Sequence, residues 1–254
     1  MSARLKRPWS GASTCARLLP APRRPSCALR KTGLNPSPRT AQPPRPSHPA
    51  MPLPPIPEPW QRTASEPGES LVLFTPRWDT LLHPRSGAAL RRLVLETPDW
   101  VNVVARTGGG DFVLVHQYRF GSKRISAEIP GGVIDPGEDP RTAAMRELRE
   151  ETGHTGGRWT YLGSVEPNPA FLDNTCHHYL AEGVELTAPQ DLDSGEDIGV
   201  TLVAEKELLA AIATGSIRHT LVISALARVL DLRRLPAPPP VTGPPTLPPE
   251  TGQG

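Results

Sequence analysis

Glu147, Glu150 and Glu151 stand at i, i+3 and i+4, so a helix through them projects all three carboxylates from one face. Like charges this close repel. Glu150 and Glu151 also fall near the expected helix C-terminus, where the dipole disfavours anions. Such an arrangement calls for a strongly positive partner. Arg146 can neutralise one carboxylate, and the others suit a hard divalent cation. Mg²⁺ in particular takes one or two carboxylates together with water and substrate phosphate oxygens. Taken alone, a run such as Arg-Glu-Leu-Arg-Glu-Glu more often forms a solvated helix face.

The preceding loop tips that balance. Asp139 can cap the helix, Pro140 suits its first position, where a missing N–H costs nothing, and Gly153 can end it in a left-handed turn. Ahead of the cap lies the glycine-rich stretch Gly131-Gly132-Val133-Ile134-Asp135-Pro136-Gly137-Glu138. The whole segment reads G-x(5)-E-x(7)-R-E-L-x-E-E-x-G, from Gly132 through Glu138, Arg146, Glu147, Leu148, Glu150 and Glu151 to Gly153. It closely resembles the signature box of the Nudix hydrolases. At average residue usage, a match at a given start has odds below roughly one in ten million. One position departs: the residue after Gly153 is usually aliphatic and here is His154, which bears on packing rather than on the carboxylates.

The family hydrolyses nucleoside diphosphates linked to a further group. Carried over by the resemblance, Glu147, Glu150 and Glu151 are metal ligands, the Gly131 carbonyl adds an oxygen, and Arg146 orients a glutamate. Mg²⁺ is the implied cofactor, with Mn²⁺ as a substitute. Gln117-Tyr118-Arg119 and Glu128-Ile129-Pro130-Gly131-Gly132 look like patterns of the ADP-ribose pyrophosphatase branch. They make Arg119 a phosphate clamp and Glu128 a ligand or a partner of the glycine loop, each set against an ordinary surface position. Glu196-Asp197-Ile198-x-Val200 resembles the segment after that branch's catalytic loop, so Glu196 is both a metal ligand and the first choice of general base. Relatives carry a glutamate base two residues earlier, where this chain has Ser194, and a hydroxyl cannot stand in for a carboxylate base. Asp193 or a box glutamate is the alternative.

These groups need a scaffold. Alternating β-branched residues predict strands over 100–105 and 112–118, turning across Thr107-Gly108-Gly109-Gly110, with the sheet half-buried. Further strands are expected at 125–129, 159–165, 176–181 and 198–203, with an acidic loop over 190–197. Helices are expected over 205–213 and 219–235, the latter with Leu221, Ala225, Leu226 and Val229 on its apolar face. Residues 71–74 and 90–95, around a turn at 83–87, predict a small antiparallel unit. His177 and His178, adjacent in a strand, face opposite sides, which argues against a paired metal site. The resemblance implies an α/β class: the Nudix α/β/α sandwich with a mixed sheet over 99–235, plus an N-terminal antiparallel β subdomain over 61–98.

Composition sets the outer bounds. The 33 prolines cluster towards the ends, so residues 1–60 and 236–254 read as disordered. The basic, acid-free head leaves a targeting segment open, as well as translation from Met51. Formal net charge is only +2, and no Asp or Glu precedes Glu58, so the remainder is acidic on balance and unsuited to nucleic acid. Three cysteines, none in a C-x-x-C spacing, suggest a reduced cytoplasmic protein without disulfides or zinc. No apolar run reaches membrane-spanning length. The expected partner is a nucleoside diphosphate-linked small molecule acting on a homodimer, with no membrane or nucleic acid. A non-catalytic nucleotide-binding Nudix module, or a hydrolase of GDP-mannose or dinucleoside polyphosphates, are the alternatives.

Overall fold

The computed structural model describes residues 56–237, so the expectations for the head up to residue 55 and for the tail from 238 lie outside it. Strands β1 (Gln61–Pro67), β2 (Thr75–Leu82) and β3 (Ala89–Glu96) form an antiparallel sheet in the order β1-β2-β3. A second sheet holds β4 (Trp100–Thr107), β5 (Phe112–Arg119), β6 (Arg124–Glu128), β7 (His154–Val165), β8 (Cys176–Leu186) and β9 (Ile198–Val203). Its order is β6-β5-β4-β8-β7, and β9, off this path, also pairs with β5. β4 and β8 run parallel and every other pair is antiparallel, which makes the sheet mixed.

Helices cover both faces of the main sheet. α1 (Pro140–Thr152) lays Ala143, Ala144 and Leu148 on Val101, Val103 and Val113. On the opposite face, α2 (Glu205–Ala213) and α3 (Thr220–Leu226) pack Leu208, Leu209, Val222, Ala225 and Leu226 on Val104, Phe112 and Leu114. Because both faces are covered, Val103 and Val104 are alike fully buried, and these central strands are apolar on both sides rather than half-buried.

Two local expectations change. Residues 71–74 are not a strand. Leu73 N–H bonds Leu71 carbonyl across Val72, whose φ of 69° is rare for a β-branched residue, and Leu71, Val72 and Leu73 face solvent. The strand on that side is β1, exposed along its length and polar, and so invisible to a hydrophobic pattern. The expected helix over 219–235 stops at Leu226. Beyond it Arg228 and Val229 bond to carbonyls only three residues back, the Arg228 guanidinium takes the Leu162 and Ser164 carbonyls, and a 3₁₀ turn follows at Leu232–Arg234. The small sheet is tied to the larger one by Arg77, which pairs with Asp79 and Glu96 within its own sheet and reaches Asp173 at 3.3 Å, and by Leu95 N–H on the Phe171 carbonyl. Among the described residues no helix is long and apolar enough to cross a membrane.

His178 is fully buried on β8, and neither ring nitrogen has a hydrogen-bond partner. Burial first, then Arg228 and His177, lower its pKa to about 4. The unfolded chain takes up this proton near the ordinary pKa of about 6.5. The neutral ring therefore contributes no penalty above that value, and stability falls as pH drops towards 4. Between pH 7 and pH 5 the loss from this group should be about 2 kcal/mol. A His178→Leu variant should show a smaller drop in denaturant midpoint over the same interval, and an identical drop would remove His178 as its cause.

Candidate active site

The carboxylate helix forms as its local signals require. Asp139 Oδ1 accepts from the N–H groups of Arg141 and Thr142, and Gly153 closes the last turn at φ 71°, its N–H on the Arg149 carbonyl. The glycine loop then runs between β4 and this helix at contacts that leave no room for its own side chains. A Cβ on Gly131 would lie 2.1 Å from the Val101 carbonyl oxygen, and one on Gly132 would lie 2.5 Å from Glu147 Oε1. Each glycine therefore allows a close approach.

Arg146 organises the charge. Its Nε and Nη2 donate to Glu138 at 3.1 and 2.9 Å, Nη1 to Glu147 at 2.8 Å and to Glu150 at 3.2 Å, and Nη2 also to the Val133 carbonyl at 3.0 Å. Its hydrogen bond to Glu138 leads the causes that raise its proton affinity further. The same bond holds Glu138 below its ordinary range, and Glu138 in turn accepts Asp135 N–H at 3.2 Å and so fixes the loop. Glu151 is only 4% exposed and accepts Gly131 N–H at 2.9 Å. Burial, against that bond and with the added repulsion of Glu147 and Glu196, pushes its pKa to about 8. Burial likewise raises Glu147, although Arg146 offsets part of the effect.

Glu196 is exposed on the acidic loop, where its Oε2 accepts Asp193 N–H at 3.1 Å. Its charge is nonetheless felt at Glu147 and Glu151. Gln190 brings the loop there: its Nε2 donates to the Glu151 carbonyl at 2.6 Å and to the Ile198 carbonyl at 2.9 Å, while Asp191 N–H bonds the Glu150 carbonyl. Among the described residues no three carboxylate, imidazole or thiol side chains converge closely enough to hold a metal ion. Arg146 draws Glu147 and Glu150, and Gly131 draws Glu151. The donor set still fits a hard divalent cation by its chemistry. Glu147 and Glu151, shielded from water and with raised proton affinity, gain from added positive charge, which Arg146 brings by hydrogen bond to Glu147 alone of the two.

A cavity of about 780 Å³ opens beside the same loop, lined by Gly131, Gly132 and Val133. Arg119 and Glu128 belong to it and pair with each other: Nε to Oε1 at 2.9 Å and Nη2 to Oε2 at 2.7 Å. Burial drives the Glu128 pKa up, but the Arg119 hydrogen bonds outweigh it and the net shift is downward. Glu128 thus engages Arg119 rather than the glycine loop, and Arg119 retains three N–H groups beyond those two bonds. Sequence reasoning missed Asn102, Ser126, Arg218 and His219, which also line the cavity. The one signal in the sequence is His219, a polar residue at the start of the expected apolar-faced helix over 219–235. His177 and His178 do face opposite ways: His177 touches Tyr161 Oη at 3.2 Å and Asp99 at 3.5 Å, whereas His178 lies in the core.

Residues 96–222, half of the chain, match the family model for the NUDIX domain. An ADP-ribose pyrophosphatase of Bacillus subtilis is 35% identical over 125 residues, which is 49% of this chain and 68% of that protein. An ADP-ribose pyrophosphatase of Mycobacterium tuberculosis is 30% identical over 172 residues, 67% of this chain and 83% of that one. A crystal structure of an ADP compounds hydrolase superposes with a TM-score of 0.60 at 21% identity, over 68% of this chain and 94% of its own, which is a likeness of fold.

The two glycines should respond differently to a methyl group. In Gly132→Ala the obstacle is the end of the flexible Glu147 side chain, so the fold should survive while Mg²⁺ affinity, read by calorimetry, falls by about tenfold or more. In Gly131→Ala the obstacle is a backbone carbonyl, and thermal denaturation should show a loss of about 2 kcal/mol or more. Unchanged Mg²⁺ affinity in Gly132→Ala, or wild-type stability in Gly131→Ala, would contradict this account of the loop.

Proposed function

The chain belongs to the Nudix family, and from that premise we propose that it hydrolyses the diphosphate bond of ADP-ribose or a related nucleotide sugar, releasing a nucleoside monophosphate and a sugar phosphate. The observation that carries this reading is the arrangement across the glycine loop. Half-buried Glu147 and buried Glu151 contact Gly132 and Gly131 from the helix side, and the cavity takes the same two glycines as its wall. A diphosphate lying along the loop has carboxylates at its bridging bond and room for an attached sugar or base.

Glu147 and Glu151, with Glu150 and the Gly131 carbonyl beside them, would hold Mg²⁺, which when bound supplies a Lewis acid that withdraws charge from the phosphate oxygens. Mn²⁺ is the expected substitute. Arg146 hydrogen-bonds Glu147 and Glu150 and aims both along one face of α1. Arg119, steadied by Glu128, offers its remaining N–H groups to phosphate oxygens. Glu196, exposed at the end of the clamped loop, takes the proton from an attacking water; Asp193 and Glu150 are the other carboxylates on hand. In this reading the enzyme is a cytoplasmic homodimer with no nucleic-acid or membrane partner.

The test is product analysis after incubating the full chain with ADP-ribose and Mg²⁺. AMP and ribose 5-phosphate should form, and Glu151→Gln should reduce kcat by about a hundredfold or more, in the range of removing a principal electrostatic group. Equal turnover by the variant would take this helix out of the mechanism. Absence of turnover on any nucleotide sugar would remove the hydrolase reading.

A further inference from the structure

The cavity is also lined by polar side chains that the carboxylate helix does not engage. Asn102 comes from β4, Ser126 and Glu128 from β6, and His219 from the residue before α3. Glu128 is already committed to both Arg119 nitrogens and is hydrogen-bonded by Ser126 as well. Asn102 Oδ1 accepts from the Cys176 thiol at 3.4 Å, which leaves its amide N–H groups as donors. His219 makes no capping bond to α3, and its Nδ1 is shut away from solvent with no partner. A buried ring nitrogen in that condition is costly. Rotation about Cβ–Cγ exchanges Nδ1 with Cδ2, which would relieve that cost if a ligand group waits on the cavity side.

Three features say what that group is. The arginines lining the cavity, Arg119, Arg124 and Arg218, suit phosphate. Phe74 and Leu172 supply an apolar wall. Asn102, Ser126 and His219 are neither long cations nor flat apolar surface. They are short groups that donate and accept, which matches a hydroxyl, itself donor and acceptor. Building on the proposed reaction, we propose that His219, assisted by Asn102 and Ser126, hydrogen-bonds a sugar hydroxyl of the substrate and so determines which diphosphate-linked sugars are accepted. A ligand lacking that hydroxyl leaves the imidazole and amide unpaired, and discrimination follows from that cost.

The sugar is either the terminal one or the ribose of the nucleoside, and ligand choice separates them. Dissociation constants are measured by calorimetry in EDTA, so that no turnover intervenes, with the full chain and three ligands. These are ADP-ribose, the β-methyl ester of ADP (no terminal sugar) and ADP-ribose with a 2′-deoxy nucleoside. The wild type should bind ADP-ribose about tenfold or more tighter than one of the two analogues, the gain expected of one well-placed hydrogen bond. His219→Phe should bring that ratio to within about twofold, and His219→Gln, which keeps a donor and an acceptor, should restore part of it. Thermal midpoints within a few degrees of wild type establish that the variants fold. Loss against the methyl ester assigns the contact to the terminal sugar, and loss against the deoxy analogue assigns it to the nucleoside. The inference is overturned if the wild type prefers ADP-ribose over neither analogue, or if His219→Phe leaves both ratios unchanged while weakening all three ligands alike. Turnover with Mg²⁺ is scored separately. Selective binding without hydrolysis would reject the proposed reaction and leave the assignment of His219 standing.

Discussion

The backbone passes β4 at Gly131 and the Glu147 carboxylate of α1 at Gly132, both at distances that leave no room for a side chain, and the charge distribution of the site depends on that double approach. Gly131 N–H reaches Glu151 Oε2, and Gly132 lies flat against the Glu147 carboxylate. The same backbone is stitched to β4, with Val101 N–H on the Gly132 carbonyl and Val103 N–H on the Pro130 carbonyl. The loop is thus an extension of the sheet rather than a free connection. It can present carboxylates from one side and a cavity wall from the other with little entropy left to lose on binding.

Such a site carries an electrostatic cost that the fold distributes. Glu151 sits where a carboxylate prefers its proton, and Glu147 is pushed the same way. One guanidinium answers three carboxylates, with Glu138 and the loop carbonyl of Val133 holding its far side. Arg146 therefore fastens the loop to the helix while it balances the charge. A single cation cannot saturate this many anions, and the deficit left over is the affinity with which a divalent ion would be drawn in.

How much of this was legible depended on how local each feature is. The helix, its cap at Asp139, its stop at Gly153 and the face shared by Glu147, Glu150 and Glu151 are set by residues within four positions of one another. They were read from types and spacing alone. Strands β4 and β5 were legible for the same reason, since Val101, Val103, Val113 and Val115 carry their own periodicity. What could not be read was built from distant parts. Glu128 meets Arg119 across two strands: the β5–β6 register, with Arg119 opposite Arg124 and Val115 opposite Glu128, puts both on one face at opposite ends of the ladder, and their long side chains span the rest. Asn102, Ser126 and His219 share a cavity although they come from positions far apart in the chain. The strand β1 escaped notice because it is polar and exposed, with no buried face to leave a pattern. The overlong helix at the C-terminal end failed for the opposite reason: its apolar spacing continued past Leu226, but the chain satisfied those residues in tight turns instead.

The cavity wall also joins the small N-terminal sheet to the candidate site, through the segment that enters β2. Residues 72–74, between β1 and β2, line the cavity, and Thr97 Oγ1 donates to the Leu73 carbonyl at 3.1 Å. That segment keeps a β-branched residue at positive φ and exposes Leu71, Val72 and Leu73, two arrangements that cost free energy in an isolated domain. Their position is fixed from elsewhere. Arg77 on β2 joins Asp79, Glu96 and Asp173, and Leu95 N–H donates to the Phe171 carbonyl in the loop that contributes Leu172 to the same cavity. Directional polar contacts therefore set the wall's distance from the arginines, whereas burial of apolar surface sets the helix beneath the carboxylates. The two halves of the site are thus held by different forces, and the polar half is the one whose geometry can be altered by substitution at the surface without disturbing the core.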